Sequence, residues 1–249
     1  MSATPEVTLW NVACVNRISS CGAFFRRRFA HAVGDVIAVT GRDADLLPTG
    51  GHVITSDADY GYPIRHGRRK ALLWSRMPWR DVDVAANSLM PPDRFIAGTT
   101  LTSVGEVRCF GVCVPWRDAH VRTGRRDRAP WKDHQEFLKH RNPIVARRPG
   151  GTPSLIVGDF NQRVPRARQP VPTFEALMAM LERGFELVTA GPIEGTSELT
   201  IDHLAVTREF ALYGLDYLAR HDEPGAEMSD LFGLRAQLRL RQLVTGAES

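Results

Sequence analysis

The run Leu155-Ile-Val-Gly-Asp159-Phe-Asn161 ends an apolar stretch on a glycine and then sets a carboxylate and an amide two residues apart. While the chain stays extended, residues two apart share a side, so Asp159 and Asn161 can act on one target. A carboxylate beside an amide can orient a water and hold a phosphate oxygen. The same two residues can instead cap their own backbone in a strand-end turn. Comparable groups recur at the ends of other short apolar runs. Asn11 follows Thr8-Leu-Trp, a Ser75-Arg76-Met-Pro78 turn follows Ala71-Leu-Leu-Trp, Asp202 and His203 open Ile201–Val206, and Ser229-Asp230-Leu231 precedes Leu234–Leu240.

A second chemical signal is cationic. The 249 residues carry 32 Lys+Arg and 28 Asp+Glu, a formal charge of +4, and only Lys70, Lys132 and Lys139 are lysines. From Arg117 to Arg168 there are 13 basic and 5 acidic residues, a local +8 that leaves −4 for the rest of the chain. A guanidinium is a fixed planar fork suited to phosphate or carboxylate oxygens. Arg117, His120, Arg122 and Arg163 are the candidate phosphate contacts, with Trp116 and Trp131 placed to stack on bases or pack beneath the loop. Local pairing by Asp118, Asp127 and Asp133 is the plainer account of this segment. The steep charge asymmetry favours nucleic acid or another polyanion.

These groups need a scaffold, and periodicity supplies it. Strand candidates are Val7–Val12, Asp35–Thr40, Ala71–Trp74, Phe95–Leu101, Val107–Val114, Ser154–Val157, Ile201–Val206 and Leu234–Leu240. Helix candidates are Ser20–His31, Lys132–His140 and Thr173–Arg183, the last with Phe174, Leu177, Met178 and Leu181 predicted as one buried stripe. Strands outnumber helices without regular βαβ alternation, which favours a two-sheet α/β sandwich flanked by helices. No repeat or low-complexity linker divides the chain, so one domain over residues 1–249 is expected, with its core from about 7 to 240.

Composition excludes other classes. At 43% hydrophobic and 24% charged residues the chain is globular, neither disordered nor fibrous. No stretch approaches the roughly 20 apolar residues that span a bilayer, and Met1 to Glu6 lack the pattern of a secretory signal. Cys14, Cys21, Cys109 and Cys113 show no C-x-x-C spacing for zinc, and Cys109 and Cys113 read as small buried hydrophobes. A soluble, reduced, cytoplasmic monomer with no membrane partner is the expectation.

Taken in order, the Thr8–Val12, Ala71–Pro78, Gly158-Asp-Phe-Asn161, Ile201-Asp-His203 and Ser229-Asp-Leu231 segments resemble the endonuclease/exonuclease/phosphatase family, with its deoxyribonuclease-I-like fold. The resemblance runs from about Val7 to Leu240. It implies a four-layer α/β sandwich of two packed, mainly antiparallel sheets between helices. It also implies hydrolysis of phosphate esters with Mg²⁺ or Mn²⁺. Carried over, it gives Asn11 and Asp230 to the metal side and Asp159 to the attacking water. Asn161 then holds the scissile phosphate, and Asp202 orients a catalytic histidine. A divalent cation offsets the charge that builds on phosphate oxygens.

Two positions depart from the family pattern. Gly41 stands where the family has a metal-binding glutamate, and Leu231 where it has the catalytic histidine. Leucine can neither take a proton nor hydrogen-bond a phosphate. Asp43, two residues past Gly41, could stand in only if the strand continued. His203 should face away from Asp202, as adjacent strand residues do. His120 and His134, flanking the basic loop, are expected to be solvated. The leading reading is a divalent-metal-dependent phosphodiesterase or nuclease with curtailed turnover. The alternatives are an impaired homologue that binds nucleic acid or a phosphorylated ligand, and a small-molecule phosphomonoesterase.

Overall fold

The computed structural model describes residues 4–12, 19–32, 34–59, 61–64, 66–84, 92–139 and 150–241. Cys14 and His140 lie outside them. One sheet contains β1 (Glu6–Asn11), β2 (Val36–Thr40), β3 (His52–Thr55), β4 (Ala71–Ser75), β11 (Phe210–Leu218) and β12 (Gly233–Leu240), in the spatial order β11-β12-β1-β2-β4-β3. The other holds β5 (Arg80–Asp83), β6 (Phe95–Thr102), β7 (Gly105–Cys113), β8 (Ser154–Asp159), β9 (Phe185–Leu187) and β10 (Asp202–Thr207), ordered β5-β6-β7-β8-β10-β9. In each sheet the central pair is parallel, β1 with β2 and β7 with β8, and the other pairings are antiparallel. The sheets are therefore mixed.

The period-two alternation of the sequence sorts side chains into layers. Val7 and Leu9 of β1, Val36 and Ala38 of β2, Leu155 and Val157 of β8, and Leu204 and Val206 of β10 face each other between the sheets. Trp10, Ile37 and Val39 point the other way, onto Phe24, Phe25 and Phe29 of helix α1 (Ser19–His31). Ile156 and Ala205 point outward from the second sheet onto Phe137 and Leu138 of α2 (Lys132–Lys139) and Leu177, Met180 and Leu181 of α3 (Val171–Leu181). This gives the expected sandwich of helix, sheet, sheet, helix.

The stripe on α3 is rotated from its expected position. Thr173, Leu177, Met180 and Leu181 are buried, while Phe174 and Met178 are only half-buried. The reason is polar. Thr173 Oγ1 accepts a hydrogen bond from Gln135 Nε2 of α2 at 2.9 Å, and its carbonyl accepts one from Gln162 Nε2 at 3.0 Å. The apolar face then settles around that anchor.

Cys109 and Cys113 are buried free thiols, as expected. Cys21 is disulfide-bonded, against the expectation of reduced cysteines throughout. Among the described residues no helix is long and apolar enough to cross a membrane.

Candidate phosphate site at the sheet ends

The inward rows continue past their last apolar residue, and this creates the site. Asn11 extends the row of Val7 and Leu9; Asp159 extends that of Leu155 and Val157; Asp202 begins that of Leu204 and Val206. Asp202 pairs with Asp159 in register, so three polar side chains meet where the sandwich opens. Gly158 lets β8 lie close against β7 just before it delivers Asp159. Its φ is +136°, and a Cβ there would lie 2.1 Å from the Val112 carbonyl oxygen.

Asn11 Nδ2 donates to Asp159 Oδ2 at 2.8 Å, and the Asn11 amide donates to Asp202 Oδ2 at 2.7 Å. Asp159 Oδ1 accepts from the Asn161 amide at 2.8 Å, which closes the local turn that its sequence equally allowed. Asn161 Nδ2 donates both to Asp159 Oδ2 and to the Val114 carbonyl, each at 2.8 Å. Both of its amide protons are thus held internally. Asn161 is a strut for Asp159 and also lines the neighbouring cleft, and its side-chain N–H groups are engaged within the protein.

Burial governs the carboxylates. Asp159 and Asp202 are 4% and 1% exposed. Loss of solvation pushes Asp159 up to about 7, against the hydrogen bonds of Asn161 and the charges of Lys70 and Arg94. Burial, and then the neighbouring Asp159 charge, raises Asp202 well above the ordinary carboxylate range. Asp202 Oδ1 is buried without a hydrogen-bond partner. The side chain of Leu231, which stands where the resemblance calls for a histidine, has no donor to give it.

His203 faces outward, as expected. Its Nε2 donates to the Gln162 carbonyl at 2.9 Å, and Thr189 Oγ1 lies 2.9 Å from Nδ1. His134 and His120 are buried rather than solvated. His134 Nδ1 lies 2.6 Å from the Pro115 carbonyl and must donate to it, so Nε2 accepts from Gln162 Nε2 at 2.8 Å. His134, Gln162 and His203 thereby form a continuous buried chain behind Asp159 and Asn161. Burial lowers both histidines to about 4. Only the Gln after Asp-Phe-Asn could have hinted at this support in the sequence.

The basic loop divides. Asp133 gathers Arg128 at 2.6 Å, Arg125 at 3.5 Å and His120 at 4.0 Å. His120 packs its ring on Tyr62 at 4.6 Å, and its Nδ1 accepts from the Arg125 amide at 3.2 Å. It is a post for the loop, not a ligand group. Arg122 is exposed, with no ion pair among the described residues. Arg117 and Arg163 instead converge, with Arg168, on a cleft of about 450 Å³ lined also by Trp131, Asn161 and Gln162. Trp116 stands 46% exposed beside it in sequence.

The donor set does not fit the divalent metal that the resemblance implies. Among the described residues no three His, Cys, Asp or Glu side chains gather as a metal site would. Gly41, at φ +79°, offers no ligand; the space above it is bounded by Asn11 Oδ1, 3.7 Å from where a Cβ would sit. Asp43 does not substitute. Its backbone pairs with Arg68 in an isolated antiparallel bridge, and its carboxylate packs by Gly67. Asp230 is exposed, and its carbonyl accepts from Arg220 Nη1 at 3.1 Å. Its charge still acts on Asp202.

No protein-family profile and no curated protein sequence matches the chain. Solved structures do. A humanized TDP2 of D. rerio superposes with a TM-score of 0.69 at 12% identity, covering 96% of this chain and 100% of that one. An AP endonuclease from Archaeoglobus fulgidus gives 0.67 at 14% identity, over 93% and 98% of the two chains. The 3′ phosphatase NExo from Neisseria, bound to a product DNA hairpin, gives 0.65 at 17% identity over 93% and 98%. The chain has the deoxyribonuclease-I-like fold of these structures, as expected from the order of its motifs.

Proposed function

We propose that this protein is a phosphate-ester hydrolase of the nuclease or phosphodiesterase type, acting slowly on nucleic acid. One observation carries the reading: Arg117, Arg163 and Arg168 surround a cleft whose wall is Asn161, directly beside the Asn11–Asp159–Asp202 centre. Guanidinium groups position a phosphate backbone without reading its sequence. A volume of about 450 Å³ is ordinary for a small-ligand pocket. The nucleic acids or products named with two solved structures of this fold, a single-strand DNA product with TDP2 and a DNA hairpin with NExo, support the same ligand class.

In this reading Asp159 is the group that receives a proton from the attacking water. Its carboxyl, held near neutrality by burial, is ionised in part at pH 7. Asn11 and Asn161 fix its orientation. The slow step is the departure of the leaving group, because Leu231 supplies no proton and Asp202 has nothing to orient. Binding without cleavage is the second reading, favoured by that same unpartnered Asp202 oxygen.

The test measures wild type and Asp159→Ala on labelled single- and double-stranded DNA, on RNA and on bis(p-nitrophenyl) phosphate. Hydrolysis lost in Asp159→Ala, with affinity retained, supports the enzyme. Affinity without any Asp159-dependent hydrolysis selects the second reading. No affinity for any of these probes overturns both.

A further inference from the structure

We propose that Lys70, flanked by Arg68 and Arg42, is the cation that meets the phosphate at this site, in the place where the resemblance calls for a divalent metal. Lys70 does not line the arginine cleft; the inference rests on the proposed function and concerns how the charge of a phosphate is met at Asp159.

The register puts the two positions together. β2 and β4 are antiparallel partners ending at Thr40 and Ala71, and the Gly41 amide donates to the Lys70 carbonyl at 3.1 Å. Lys70 is therefore directly opposite the residue that lacks the expected acid. Arg68 Nε donates to the Gly41 carbonyl at 3.1 Å, and Arg42 Nε donates to the Val12 carbonyl at 3.2 Å. Two guanidinium groups thus hold the backbone at Gly41 itself and at Val12, just past the end of β1. From the second sheet, Cys113 pairs with Asp159, and Arg94 Nη1 lies 3.7 Å from the Cys113 sulfur. Arg94 is itself buried against Asp93, with Nε 3.1 Å from Oδ2.

The electrostatics agree with that placement. The Lys70 charge acts on Asp159, on Asp93 and on the Cys113 thiol, while Arg94 and Arg68 act on Lys70. Burial lowers the Lys70 ammonium from its ordinary value. Asp93 and Asp159 both feel these cations, and burial favours the protonated form of each. A doubly charged ion brought here would be repelled by this ammonium, and among the described residues no three acidic, His or Cys side chains gather to repay its lost water. A phosphate oxygen would be attracted by the same group. An ammonium with three rotatable donors is a point charge suited to that oxygen.

The experiment uses the full chain and three readouts. Anisotropy of a fluorescein-labelled 20-mer DNA duplex is measured at constant ionic strength, in EDTA and in Mg²⁺. Inorganic phosphate binding is followed by calorimetry in EDTA. Mn²⁺ binding is followed by electron paramagnetic resonance. We expect DNA affinity to be equal in EDTA and Mg²⁺, to fall roughly tenfold or more in Lys70→Met, and to recover in Lys70→Arg. Phosphate binding should follow the same order, and stoichiometric Mn²⁺ binding should be absent. Tight Mn²⁺ binding, affinity that requires Mg²⁺, or unchanged affinity in a folded Lys70→Met overturns the inference and leaves the proposed function standing. Absence of DNA binding with Lys70-dependent phosphate binding intact removes the nucleic-acid reading and keeps the cation. Loss of both removes both. Circular dichroism of each variant confirms the fold, and Lys70→Arg separates lost charge from lost packing.

Discussion

Asn11 Nδ2 donates to Asp159 Oδ2 at 2.8 Å, and with the bond from the Asn11 backbone amide to Asp202 Oδ2 at 2.7 Å it joins the two sheets at the mouth of the sandwich. Asn11 and Asp159 are 148 apart in sequence and belong to β1 and β8. A donor to a carboxylate favours its charged form. Asn11→Leu should therefore raise the Asp159 carboxyl above its value of about 7 and destabilise the protein by about 1–3 kcal/mol. Carbon-13 carboxyl titration checks the first effect and urea melts the second. An unmoved Asp159 would mean that the bond is incidental.

Asp202→Asn should stabilise the protein, and more so at high pH. The folded-state values of Asp159 and Asp202 lie above those of free carboxyls. The folded state therefore binds protons more tightly, so stability present below about pH 4 is lost as pH rises through about 7. Replacing Asp202 by an amide removes the repulsion with Asp159, gaining about 1–3 kcal/mol at pH 8 and much less at pH 5. Urea midpoints at the two pH values decide it; an equal gain at both would refute the coupling.

The histidines work in the opposite sense. His134 and His203 are held neutral at about 4. Their stability contribution is intact above the unfolded value near 6.5 and is lost as pH falls towards 4. Gln162→Leu should cost about 2–4 kcal/mol at pH 7, because it strips His134 Nε2 and the Thr173 carbonyl of their donor. It should also loosen Asn161 and so weaken DNA binding. A variant of native stability would show that water replaces the glutamine amide.

Leu231→His should raise phosphodiester hydrolysis by roughly 10²-fold, with little change in affinity, by giving Asp202 Oδ1 a donor and the leaving group a proton source. Gly41→Glu is the poorer reversion. The left-handed φ of +79° costs any side chain about 1 kcal/mol, and the new carboxylate would face Asn11 Oδ1. Turnover of bis(p-nitrophenyl) phosphate by each variant tests this. A flat rate in Leu231→His would place the deficit elsewhere.

Arg117→Ala, Arg163→Ala and Arg168→Ala should each weaken DNA binding evenly across sequences and reduce the slope of log affinity against log salt by about one. Arg128→Ala, whose guanidinium is held by Asp133 at 2.6 Å, should change that slope little. Equal effects from all four would mean that the whole loop, not the cleft, carries the field.

The sequence by itself determined the layers and the ends. All eight strand candidates and all three helix candidates correspond to elements. The strands it did not reveal are β3, β5, β9 and β11, the four sheet edges. Edge strands are paired on one side only. Exposed residues in β3 and β5, the brevity of β9 and the bulge at Leu212 and Gly214 of β11 leave no continuous apolar run. Asp159, Asn161 and Asp202 were legible because each closes or opens such a run. What each side chain does was decided by tertiary structure alone. Asn161 turns its amide inward because the Val114 carbonyl waits just past the end of β7. His120 is a buried post because Tyr62, 58 residues away, lies under its ring. The Lys70 charge acts on Asp159 because two separate sheets end at the same level. Local patterning fixes which way a residue points along its own strand, but hydrogen bonds and charges act across space, and those partners are set by how the sheets pack.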